Sequence, residues 1–239
     1  TTVSLTDIGI YTPFNDNYPG ATESLTSRCH AHIWPGDEAA YVFAQRMNGQ
    51  GEHLGLMVTD GAVSGYEIMQ RGTDKANSHF RGVITLDIPD KVLAPGEHCL
   101  VGWLLFPHSG KEDFVKGLTN RGGIYLEADK YVYQSGETAT VRIRDNKGTR
   151  ERRMRCDRLG DNRVPVEYGG KKTFVEFLTV SNVDNLISKR AEYILNNQKM
   201  RKRSDGRFGA FMVYDYEGDS RYPNNTRNCY PVDRDEGAE

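Results

Sequence analysis

A chain of 239 residues is long enough to bury a sizeable core, and its 25 glycines, 13 tyrosines and 10% aromatic content favour strands and turns over disorder. A net charge of −2 supplies no global field toward nucleic acid or an acidic membrane surface. The longest apolar stretch, Cys99 to Phe106, is far shorter than the ~20 residues that cross a bilayer, so no membrane span is expected.

Thr1 opens a polar segment without a basic-then-apolar leader, which reads as a soluble chain from which any export signal has been removed. From Tyr41 to Arg144, short apolar runs alternate with glycine-bearing turns: Tyr41 to Met47, Leu54 to Val58, Val63 to Ile68, Val83 to Ile88, Leu100 to Phe106, Ile124 to Leu126 and Thr138 to Ile143. This is the pattern of an antiparallel β-sandwich. Pro95-Gly96 predicts a type II turn, with the neighbouring runs paired antiparallel. Lys111 to Leu118 predicts a short helix, because Phe114, Val115 and Leu118 fall at helical spacing.

Between Arg142 and Arg163 nine basic residues stand against four acidic ones. The excess could attract a polyanion, but a solvated connecting segment is the preferred reading. Residues 164–180 mix Pro, Gly and Lys with aromatics and read as a linker, which sets a sandwich domain at 1–163 and a second unit at 181–239. Ser181 is expected to cap a helix of about five turns ending near Arg203, with Gly206 as its stop and Asp184 answering the cap. Val183, Ile187, Ala191 and Ile194 form its apolar face, which one helix cannot bury by itself.

The densest chemistry lies in Arg28-Cys29-His30-Ala31-His32-Ile33-Trp34. On a strand, His30 and His32 share a face with Arg28 beside them. Imidazoles move protons near neutral pH, a guanidinium holds a carboxylate in two hydrogen bonds, and an indole offers a face to a sugar ring. As a metal site the pair would need a third ligand, for which His53 is the candidate; structural hydrogen bonding is the other alternative. Tyr66, Glu67 and Arg71, then Asn77, His79 and Arg81, add polar groups to the meander, with Tyr66, Arg71 and Arg81 as substrate-binding candidates.

Asp215, Glu217 and Asp219 could supply glycosidase carboxylates or a structural calcium site, though a solvated acidic loop is commoner. Otherwise no metal or cofactor is expected. No phosphate loop, G-x-S-x-G elbow or dinucleotide fingerprint occurs. Four cysteines, Cys29, Cys99, Cys156 and Cys229, without a C-x-x-C pair, leave two disulfides or buried free thiols both open. The sequon Asn224-Asn225-Thr226 fits an exported protein.

Beyond these readings, the runs Asp7 to Asp16, Arg28 to Trp34, His53 to Leu56, and Leu104 to Pro107 ahead of Asp113-Phe114 resemble the β-sandwich of carbohydrate-active enzymes with a six-hairpin (α/α) toroid. Within that group the sequence is most similar to polysaccharide lyase family 27, the L-rhamnose-α-1,4-D-glucuronate lyases of arabinogalactan-type gums. The resemblance implies a mainly β fold, supersandwich-like, running into the first helix or hairpin of the toroid. It also implies a secreted or periplasmic protein acting on an acidic polysaccharide, with two histidines among His30, His32 and His53 as acid and base. Arginines such as Arg28, Arg71 or Arg81 would hold the uronate carboxylate, with Trp34 and Tyr66 against the sugar. A second chain or a continuation would complete the toroid, and the piece alone would aggregate or fray from Val164 onward. The competing readings are a glycoside hydrolase of the same architecture and a non-catalytic carbohydrate-binding module.

Overall fold

A computed structural model describes residues 1–17, 19–69 and 82–211, with the backbone of 214–215 and 220–221. The chain divides into two compact units, Thr1–Thr179 and Val180–Glu239.

In the first unit, β1 (Val3–Leu5), β2 (Gly9–Asn15), α1 (Ala21–Ser27), β3 (Cys29–Trp34), β4 (Tyr41–Arg46) and β5 (His53–Asp60) lead to β6 (Gly65–Ile68), β7 (Val83–Asp87), β8 (Lys91–Leu93) and β9 (Gly102–His108). Then follow α2 (Lys111–Asn120), β10 (Tyr125–Ala128), β11 (Val132–Gln134), β12 (Thr138–Asp145), β13 (Gly148–Arg155), β14 (Gly160–Tyr168) and β15 (Lys171–Val180). Every predicted run holds a strand, and the predicted helix is α2, with Phe114, Val115 and Leu118 buried.

Two β layers enclose the first core. A three-stranded sheet, β2-β7-β6, brings Phe14, Ile84 and Leu86 against Val42, Ala44, Leu56 and Val58 of the four-stranded sheet β3-β4-β5-β9. Alternation sends Cys29, Ala31 and Ile33 of β3 to this core and leaves His30 and His32 on the opposite face. A second core, around Tyr133, Val141, Val166 and Phe177, joins sheets β10-β12-β13 and β11-β15-β14. A third lies where α2 covers the outer face of the four-stranded sheet, with Tyr41, Met57, Phe106, Phe114, Leu118 and Tyr125. Gly55 permits that close approach: a Cβ there would stand 2.7 Å from both Phe106 and Phe114.

Three expectations are corrected. Gly96 has the positive φ of 88° that a type II turn needs, yet the strands around it do not pair: β8 joins β1, while β7 and β9 lie in different sheets. The solvated basic stretch is a strand, β13, paired along its length with β12. The expected linker 164–180 belongs to the β14–β15 hairpin, because Val166, Val175 and Phe177 fill the second core on one face while Phe174, on the other, packs on Trp34. Cys29, Cys99 and Cys156 are free thiols, and Cys229 lies outside the described residues.

The second unit carries α3 (Val183–Tyr193), which runs into a π-helical stretch, Ile194–Gln198, and the short pair β16 (Tyr214–Asp215) and β17 (Ser220–Arg221). Its cap is Asn182 rather than Ser181: the Asn182 side chain accepts from the Asn185 N–H at 2.8 Å. The helix stops at 198, short of 203, because Lys199 leaves it to form a bridge with Phe211. No residue of α3 is buried.

Candidate functional site

β3 is an edge strand, so its outward side chains have a neighbour on one side only. His30 lies opposite Gln45 and His32 opposite Phe43, and both imidazoles are exposed on the same face. The His32 ring contacts Tyr41 at a centroid distance of 6.2 Å, and Tyr41 stacks on Tyr125 at 5.7 Å. This chain of rings carries the face of β3 toward β10 and α2.

At that junction lies a charged cluster. Asp113 accepts hydrogen bonds from the Ser109 N–H and hydroxyl, fixing the turn into α2, whose first residue is Lys111. The Lys111 ammonium donates to Glu127 at 2.6 Å, and Arg144 reaches the same carboxylate at 3.5 Å and Glu112 at 3.1 Å. Register explains the convergence, since Tyr125 pairs with Arg144 and Glu127 with Arg142, all four on one sheet face. The Lys111 hydrogen bond holds the Glu127 carboxyl below its usual range, and the same bond raises the ammonium. Loss of solvent around the His32 ring, and then the Lys111 charge, hold that imidazole below the usual histidine range. Both effects favour the neutral imidazole. Burial raises the Tyr125 phenol, opposed by the same lysine.

The other predicted residues scatter. His53 is buried, only 4% exposed, and its Nδ1 accepts from the Arg46 N–H at 3.3 Å. It lies opposite His108, which is 2% exposed, with ring centroids 5.5 Å apart. Its burial and the engaged Nδ1 set His53 apart from the exposed His30 and His32. Arg28 does not stand free beside His30 and His32: its guanidinium binds Asn17, the Ser27 hydroxyl and Glu23. It lines a separate cleft of about 210 Å³ with Cys29, Arg46, Glu52 and His53. Trp34 offers no open platform, since its ring packs on Phe174 at 4.9 Å and its indole nitrogen is buried beside Gly36. Tyr66 is exposed on β6, in the other sheet. Arg71, Asn77, His79 and Arg81 lie outside the described residues, as do Glu217, Asp219 and the side chain of Asp215. Among the described residues no group of three or more His, Cys, Asp or Glu could hold a metal ion.

Sequence reasoning missed His108, Lys111, Tyr125 and Glu127. His108 continues the alternation of Phe106, a signal present in the run itself. Lys111 and Glu127 gain meaning only from the packing of α2 against β10.

Among solved structures, a polysaccharide lyase aligns with 98% of this chain at 44% sequence identity and a TM-score of 0.85. The relationship is to a polysaccharide lyase. The chain spans 38% of the length of that lyase. No family model and no curated protein matches the chain.

Proposed function

We propose that this chain is the sandwich portion of a polysaccharide lyase that releases rhamnose from glucuronate in arabinogalactan-type glycans by β-elimination. The observation that carries the reading is the pair His30 and His32, exposed together on one face of the edge strand β3 in a chain 44% identical to a polysaccharide lyase. A neutral His32 takes the C5 proton of the uronate, whose carboxylate must be neutralised for that proton to be acidic. The C4–O4 bond of the uronate breaks as the C4=C5 double bond forms, and an acid, His30 in this reading, delivers a proton to that glycosidic oxygen, which leaves as the anomeric hydroxyl of rhamnose. A positioned acid and base each contribute about 10²- to 10⁴-fold.

The remaining toroid helices would come from a second chain or a continuation and would cover α3, where Leu186 and Ile187 are exposed. Such a protein would act outside the cytoplasm, where plant glycans are met. Among the described residues no helix is long and apolar enough to cross a membrane.

Histidine variants of the complete protein test the reading. His30→Ala and His32→Ala are each expected to lower kcat on a rhamnose-capped glucuronate glycan by at least about 100-fold without lowering Tm. Normal turnover in both would move the chemistry off β3.

A further inference from the structure

We propose that Lys111 receives the uronate carboxylate next to His32, making the corner between α2, β3 and β10 the acid-recognising subsite. This rests on the lyase reading above and adds the cation that the reading requires. Two arginines of the region are already committed: Arg28 to Glu23, Asn17 and Ser27, and Arg144 to Glu112 and Glu127. Lys111 differs. Its side chain is 52% exposed, and its ammonium is held by Glu127 and by a hydrogen bond with the Tyr125 phenol. An ammonium has three donors, so one remains for a ligand.

The geometry also sets where a carboxylate would sit. Glu127 holds the lysine from the β10 side, the phenol of Tyr125 neighbours it on the same strand, and Tyr125 stacks on Tyr41, which touches the His32 ring. A carboxylate on the solvent side of Lys111 thus lies on the face that carries His32. Glu127 is shared between Lys111 and Arg144, so the one carboxylate that holds the ammonium does not fully neutralise it toward an incoming anion. The Lys111 charge accordingly acts on both the His32 imidazole and the Tyr125 phenol.

Binding of small sugars to the complete protein tests the subsite without requiring turnover. The probes are methyl β-D-glucuronide and the neutral methyl β-D-glucoside, titrated by calorimetry or ligand-observed NMR. Replacing Lys111 by methionine should weaken the glucuronide by about tenfold or more, as expected for losing a hydrogen bond to a charged group, and leave the glucoside unchanged. Lys111→Arg should restore most of the glucuronide affinity, which a merely structural loss would not allow. Glucuronide binding within about twofold of wild type in Lys111→Met, or equal losses for both sugars, overturns the proposal. Failure of the lyase reading shows separately, as wild type that binds glucuronide but forms no unsaturated product.

Discussion

The imidazole of His108 lies 5.5 Å from that of His53, ring centroid to ring centroid, and is packed between Phe43 and Phe114 with only weak backbone partners, at Leu54 and Ala44, for its nitrogens. Burial holds His108 below the usual histidine range, and the neighbouring His53 adds to the effect; the backbone of Leu54 and Ala44 and the Asp113 carboxylate pull the other way. Above about pH 6.5 both folded and unfolded states keep this ring neutral. As pH falls below that value the unfolded chain takes the proton first, so stability declines by up to about 1.4 kcal/mol per pH unit until the folded ring protonates. Urea unfolding at pH 7 and pH 5.5 should show a smaller acid loss in His108→Phe than in wild type. Equal losses would remove His108 from the acid response.

Gly55 makes room for Phe106 and Phe114, and its replacement should loosen the whole α2 corner. A valine side chain at this position would force both rings aside, for a cost of about 1–3 kcal/mol or more. Gly55→Val should therefore lower Tm and change the near-ultraviolet circular dichroism of the aromatic cluster. A wild-type Tm would mean that α2 does not seat on β5.

Lys111 also sets a pH dependence. Its charge helps to keep His32 neutral, so removing it moves the His32 midpoint up and the base is lost at a higher pH. In Lys111→Met the acid limb of kcat/KM should shift toward higher pH, while Lys111→Arg keeps it in place. An unmoved limb in Lys111→Met would separate the titrating base from this lysine.

On α3, Leu186 and Ile187 are 54% and 61% exposed. Changing both to serine should leave the melting of the 239-residue chain within about 0.5 kcal/mol while reducing self-association in light scattering. In the complete protein the same change should cost about 2–4 kcal/mol if toroid helices cover that face. No added cost there would argue against a covering partner.

Much of the sandwich is legible because β4, β5, β7, β9 and β12 carry apolar runs, and α2 shows its helical spacing of Phe114, Val115 and Leu118. Among the strands that escaped, β13 carries four arginines and a glutamate in eight residues on a solvated edge, and β14–β15 interleaves core residues with Pro and Lys. At the site, H-x-H spacing places His30 and His32 on one face from the strand period alone. The burial of His53 against His108 and the approach of Lys111 to Glu127 arise from contacts between residues distant in sequence, which no local pattern carries.

The most direct test of the account is the chemistry of the product. The complete protein, incubated with a rhamnose-capped glucuronate oligosaccharide, should release free rhamnose in step with a rise in near-ultraviolet absorbance from the C4=C5 unsaturated uronate. Both should fall together by at least about 100-fold in His32→Ala. Rhamnose released with a saturated glucuronate left behind would identify hydrolysis and contradict β-elimination at His32.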